Sequence, residues 1–198
     1  DTHPSIAVPE LMRILIDEEN LPWEEAWYIT VNTIAYTNHT ILAEALERWP
    51  VDMFKELLPR IYMIVEEINR RFYNELQGKF SNDVSKINSA SIIYNNEIRM
   101  AYLAIVGSHS VNGVAKLHTE ILKNQELNNL YNMYPWKFNN KTNGITHRRW
   151  LVKANPCLTK VIKDVIGDGF IKNPLELKNL EGFSKDVCFQ EKIRYKVH

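Results

Sequence analysis

Three polar, turn-forming segments hold the residues of this chain best suited to chemistry: Asp1-Thr-His-Pro4, Ala35-Tyr-Thr-Asn-His-Thr40 and Asn140-Lys-Thr-Asn-Gly-Ile-Thr-His-Arg-Arg-Trp150. Asparagine, neutral histidine and aspartate can match hydroxyl groups that both donate and accept, without bringing a large uncompensated charge. A buried polar group left unpaired costs about 1–3 kcal/mol, so such a site would reject a ligand lacking the right hydroxyl. Together the three segments point to a sugar. Within the third, Asn143-Gly144 reads as a turn between a strand and a basic-aromatic helix start.

The elements that must position these residues are mostly helical. Pro9-Glu10 followed by Leu11, Ile14 and Leu15 starts one helix, and Pro22 with Glu24 and Glu25 starts a second, the two forming a hairpin. From Val51 the spacing of Leu57, Ile61, Val65, Ile68, Phe72 and Leu76 follows one helical face, with a kink or fresh start at Pro59 and a stop at Gly78. Residues Ser81–Asn96, rich in Ser and Asn, read as a surface connection. The apolar run Ile98–Val106 reads as a strand buried on both faces. A helix is expected from Val111 to Lys123 with Ser110 as its N-cap, a second strand at Trp136–Thr142, and helices near His147–Val152, Pro156–Ile166 and Phe183–Arg194. In open α/β sheets ligands bind beyond the carboxyl ends of strands, which singles out Ser108, His109 and Asn143. The fold class is therefore mainly α with a few short strands.

Composition narrows the partners. The 198 residues carry 24 basic and 24 acidic side chains, so no broad positive field exists to attract nucleic acid or an anionic membrane. No apolar run approaches the roughly 20 residues of a membrane span. Cys157 and Cys188 have no Cys-x-x-Cys spacing, which suggests neither a zinc site nor a disulfide framework and fits a reducing cytoplasm. No targeting segment is visible.

Each candidate also has a plain structural reading. His39 can be a hydrogen-bonded loop histidine, Asn143 a turn residue, and Trp23 and Trp27 core packing. Arg148, Arg149 and Lys153 suit a solvated helix. Asp1, His3, His39 and His109 could form a zinc or iron set, but no second acidic ligand lies near His39 or His109 and no paired histidine motif occurs, so no metal is expected.

The three segments, with Glu44-Ala-Leu-Glu-Arg-Trp-Pro50 and Gly107-Ser-His-Ser-Val-Asn-Gly-Val114, closely resemble the α-glucan (glycogen, starch and maltodextrin) phosphorylases. The resemblance runs in order from Asp1 to about Cys188. Those enzymes are several times longer, so it implies an internal fragment of a GT-B enzyme with two Rossmann-like domains: residues 1–146 ending the first and 147–198 beginning the second, cofactor-binding one. The implied reaction is reversible transfer of a terminal glucosyl unit from an α-1,4-glucan to phosphate, giving α-glucose 1-phosphate with retention. Its pyridoxal phosphate would be carried by a lysine outside this chain, leaving no cofactor-binding residue here and the isolated fragment inactive. A cytoplasmic homodimer is implied for the parent.

Residue by residue, the resemblance makes His39 the catalytic position, its main-chain carbonyl facing the anomeric carbon where positive charge develops. It places His39 and Asn143 on the 6-hydroxyl side of the glucosyl unit, with Val114 packed near the hydroxymethyl group. Asp1, His3, Ala45 and Glu47 would line a solvent-filled pocket beside the β-face of C1. None of these departs from the family pattern, whereas His147 stands where many members have proline. Two alternatives are a stand-alone, non-catalytic helical carbohydrate-binding or interaction module, and a glycosyltransferase of the same fold using a sugar nucleotide.

Overall fold

The computed structural model describes residues 2–81 and 83–196, so Asp1 lies outside the described residues. The chain divides into two compact units, Asp1–Asn143 and Gly144–His198.

The first unit is built around one long amphipathic helix. A 3-10 turn at His3–Ile6 leads into α1 (Ala7–Arg13), and Pro22 immediately precedes α2 (Trp23–Thr33), whose first turn carries Glu24 and Glu25 at the positive end of the helix. Pro59 separates α3 (Val51–Leu57) from α4 (Pro59–Phe80), since proline is well tolerated at the first helical position and poorly inside. One face of α4 buries Ile61, Ile64, Val65, Ile68, Phe72 and Leu76, and packs against α1. Gly78 does not stop α4. The helix runs on to Phe80 and ends at Ser81, which takes the left-handed conformation at φ 47°. Trp23 and Trp27 pack against the core, with the Arg71 guanidinium 4.7 Å from the Trp23 ring centroid.

Residues 81–96 are more structured than expected. Asp83 accepts a hydrogen bond from the Lys86 amide and caps α5 (Val84–Ala90). Met100–Val106, expected as strand, is instead a helix, α6, with only Glu97–Arg99 before it extended. Its residues Met100, Ala101, Leu103, Ala104, Ile105 and Val106 are all buried. An element buried all round loses its polar stripe, so a short buried helix and a buried strand read alike. The expected helix at Val111 is displaced too: Ser110–Gly113 is a strand, and α7 begins only at Lys116 (Lys116–Ile121). Helix α8 (Asn128–Met133) leads by a 3-10 turn at Pro135–Lys137 into the short strand Phe138–Asn140.

Among the described residues two three-stranded sheets result. In one, β1 (Ala35–Thr37), β5 (Ser110–Gly113) and β6 (Phe138–Asn140) run parallel in that order, with Val111 paired to Tyr36 on one side and Phe138 on the other. In the other, β2 (Arg48–Pro50) and β3 (Ile93–Tyr94) flank β4 (Glu97–Arg99) in antiparallel pairing. Asn95 and Asn96 join β3 to β4 with φ of 50° and 59°, the backbone of a type I′ hairpin turn.

In the second unit, a π-helical turn at Arg148–Lys153 precedes α9 (Pro156–Ile166). Asn155 caps α9 by accepting from the Leu158 amide, and Gly167, at φ 79°, closes it. Val161, Ile162, Phe170 and Phe189 are buried, and α9 packs against the 3-10 segment Pro174–Phe183 and α10 (Val187–Lys196). The last helix thus starts later than Phe183. His147 Nε2 lies 3.1 Å from the Phe170 carbonyl and 3.3 Å from that of Ile171, a link proline could not make.

Two consequences for stability are measurable. Phe72 is 1% exposed and stacks on Tyr134, so Phe72→Ala is expected to cost about 3–5 kcal/mol by urea denaturation. Lys137 is also buried; its ammonium donates to the carbonyls of Ile105 (3.1 Å) and Val106 (3.0 Å) at the end of α6. Burial lowers its pKa to about 8, against a partial rise from Glu75. Between that value and the ordinary lysine value the unfolded chain keeps a proton that the folded chain gives up, so stability rises with pH there. From pH 7.5 to 9.5, the wild type is expected to gain roughly 1–2 kcal/mol relative to Lys137→Met; equal pH slopes in urea would contradict this.

Candidate functional site

The parallel sheet places three of the singled-out residues together in topology. His39 follows the carboxyl end of β1, Val114 that of β5 and Asn143 that of β6. These strands are adjacent and parallel, so all three residues emerge at the same edge, the edge at which α/β sheets bind ligands.

The ladder does not stop at the strand ends. The Asn38 amide donates to the Asn112 carbonyl at 2.9 Å, the Lys141 amide to Gly113 at 3.1 Å, and the Asn143 amide to Val114 at 2.9 Å. The loops are therefore held by the same backbone pairing that makes the sheet. The expected Asn143-Gly144 turn does not form: residues 141–146 carry no helix, strand, turn or bend, and Gly144 does not adopt positive φ. Gly113 is required for another reason. A Cβ there would lie 2.5 Å from Thr119 Oγ1 and 3.0 Å from His118 Nδ1, so only glycine lets α7 approach the strand this closely.

Asn38, which the sequence did not single out, anchors the His39 loop. It is 1% exposed; its side chain donates to the Tyr36 hydroxyl at 3.0 Å and accepts from the Thr40 amide at 3.0 Å. Burial raises the Tyr36 phenol's pKa, so its proton stays in place. The Thr37 hydroxyl donates to Asn112 Oδ1 at 2.9 Å, tying β1 to β5 by side chains as well. With its neighbour thus held, His39 itself is exposed at the sheet edge. The signal for Asn38 lay in the sequence, since a polar residue directly after a strand must satisfy itself locally when buried.

A second cluster joins the chain start to the 44–50 segment. Glu47 accepts from the Thr2 hydroxyl at 3.0 Å, and its other carboxylate oxygen lies 2.9 Å from His3 Nδ1. His3 is well exposed and Glu47 partly so. Ala45 lies on the exposed 3-10 turn Ala43–Ala45 within the connection leading from His39 to Glu47. Asp1 lies outside the described residues.

Ser108 and His109 do not belong to this edge. They precede β5, at its amino end, because the run before them is helix α6 and not a strand. Ser108 is fully buried and donates to the Ile105 carbonyl, while the His109 amide donates to Ile34. Among the described residues no group of three or more His, Cys, Asp or Glu side chains could hold a metal ion, and no helix is long and apolar enough to cross a membrane.

The edge thus presents the exposed polar side chains of His39 and Asn143 on a hydrogen-bonded backbone, an arrangement suited to hydroxyl recognition. Comparison with known proteins identifies the family. The carbohydrate phosphorylase family model matches residues 1–197. A glycogen phosphorylase of Bacillus subtilis (strain 168) is 56% identical over 194 residues, covering 98% of this chain and 24% of that protein. The human muscle form of glycogen phosphorylase is 51% identical over 192 residues, covering 96% and 23%, and a glycogen phosphorylase of Synechocystis is 51% identical over 197 residues, covering 95% and 23%. The chain spans about a quarter of the length of these curated relatives. With the match extending over almost every residue, this chain belongs to the carbohydrate phosphorylase family.

Proposed function

We propose that this chain is a segment of an α-1,4-glucan phosphorylase and forms one wall of its glucosyl site. The complete protein transfers the terminal glucosyl unit reversibly to inorganic phosphate, giving α-glucose 1-phosphate. The observation that carries the reading is the emergence of His39, Val114 and Asn143 at one edge of a parallel sheet. In this reading His39 and Asn143 meet the 6-hydroxyl side, and Val114 packs on the hydroxymethyl group. The His39 carbonyl directs its dipole at the anomeric carbon, where it favours the positive charge of an oxocarbenium-like transition state without reorganising. His3, Ala45 and Glu47, with Asp1, line the space beside the β-face of C1; the pairing of Thr2 and His3 with Glu47 supports their grouping.

The break between compact units at Asn143 and Gly144 supports a domain boundary near residues 146 and 147 of a GT-B fold. Pyridoxal phosphate belongs to the complete protein, where it supplies proton transfer through the substrate phosphate. Lys137, the buried lysine among the described residues, does not fit as its carrier, because its ammonium is committed to the α6 carbonyls. The carrying lysine is assigned to sequence outside this chain, as are the phosphate-binding residues, and the complete protein is placed as a cytoplasmic homodimer.

The test is phosphate-dependent release of glucose 1-phosphate from maltoheptaose by the complete protein. His39→Ala and Asn143→Ala are each expected to lower kcat/KM about tenfold or more while cofactor absorbance is retained. Unchanged kinetics in both would remove these residues from the site. The isolated chain is expected to release no glucose 1-phosphate; measurable turnover by it would contradict the division of labour proposed here.

A further inference from the structure

The edge residues after β5 and β6 are held from behind by a side chain that faces no proposed ligand group. The Val114 amide donates to His118 Nδ1 at 3.1 Å, and the Val114 carbonyl accepts from the Asn143 amide at 2.9 Å. His118 stands in the first turn of α7 and reaches back to the loop before it, as a capping-box side chain does, but one residue further. We infer that His118 is a positioning residue for the glucosyl site, setting Asn143 through Val114, whose amide it holds and whose carbonyl holds the Asn143 amide; this rests on the reading of that site given above.

Three features make the link specific. An Nδ1 that accepts from an amide carries no proton, so the neutral ring has its proton on Nε2; that atom is buried and has no hydrogen-bond partner among the described residues. Gly113 lets the ring come this close to the strand, since a Cβ there would be 3.0 Å from Nδ1. The neighbouring Thr119 is bound to the same surroundings: its hydroxyl donates to the Ala115 carbonyl at 2.9 Å and lies 3.0 Å from Asn140 Oδ1. The start of α7 thereby grips the loop after β5 through His118 and the end of β6 through Thr119. The peptide that carries the Val114 amide ends in the Gly113 carbonyl, which accepts from the Lys141 amide at 3.1 Å, and the next peptide carries the Val114 carbonyl. Losing the acceptor at position 118 loosens the first and, through the Val114 Cα that they share, the second, which fixes the Asn143 backbone.

The test uses substrate discrimination in the complete protein, run in the direction of glucan synthesis with maltoheptaose as acceptor. The ratio of kcat/KM for glucose 1-phosphate over 6-deoxyglucose 1-phosphate reads contact with the 6-hydroxyl, which a general loss of packing lowers on neither side selectively. His118→Leu and His118→Ala both remove the acceptor, and either suffices if the other fails to fold. His118→Asn restores an acceptor at the same number of bonds from the backbone. We expect the ratio to fall about tenfold in the Leu and Ala variants and to stay within about twofold of wild type in the Asn variant. Asn143→Ala is expected to collapse the ratio as well. If Asn143→Ala does so while the Leu and Ala variants keep the wild-type ratio, the positioning inference is overturned alone. If Asn143→Ala leaves the ratio intact, the reading of the 6-hydroxyl side is overturned and the inference with it.

Discussion

Backbone pairing along β5 is the constraint from which the site follows. A strand flanked on both sides must satisfy its amides and carbonyls with its neighbours, because water cannot reach them. Val111 is fully buried between Tyr36 and Phe138, so the register of all three strands is set at one point. Once set, it propagates past the strand ends into the Asn38, Lys141 and Asn143 amide bonds. A loop held in this way behaves as part of the sheet, which gives three short strands the rigidity a binding edge requires.

The helices make that pairing possible. α4 supplies the apolar face on which α1 packs, and the buried α6 joins the two sheets along the chain, running from the end of β4 to the start of β5. Polar groups close the remaining gaps. Lys137 satisfies two carbonyls at the end of α6, and Arg99 donates to the Asn88 and Ser89 carbonyls at the end of α5 while lying 4.3 Å from the Tyr102 ring. Burial pushes the pKa of both cations down, a cost offset by carbonyl hydrogen bonds and the negative end of each helix.

Much of the helical framework was legible because proline and apolar period are local signals. Pro22, Pro59 and Pro156 each mark a helix start, and the face of α4 follows a 3.6-residue period. What was not legible depended on tertiary burial. Met100–Val106 carries no polar residue inside its turn except the partly covered Tyr102, so nothing in its pattern distinguishes helix from strand. The strand at Ser110–Gly113 looks like a helix cap followed by a helix, because its serine, asparagine and glycine satisfy neighbouring strands in ways visible only in space. The candidate site shows the same division. His39 and Val114 are reached through resemblance to a family, while Asn143 also follows from the rule that open α/β sheets bind ligands beyond the carboxyl ends of strands. Applied to Ile98–Val106, most of which is helix α6, the same rule also selects Ser108 and His109. The roles of Asn38 and His118 rest on local hydrogen bonds, to the Tyr36 hydroxyl and Thr40 amide and to the Val114 amide, whose importance follows from burial and loop path and not from residue type.

A crystal structure of the complete protein soaked with glucose 1-phosphate tests the central claim most directly. The account predicts a glucosyl ring at the carboxyl edge of β1, β5 and β6, with its 6-hydroxyl in hydrogen-bond reach of Asn143 and its hydroxymethyl carbon against Val114. A well-ordered glucosyl ring bound away from that edge, with Asn143 and His39 facing solvent, would contradict it.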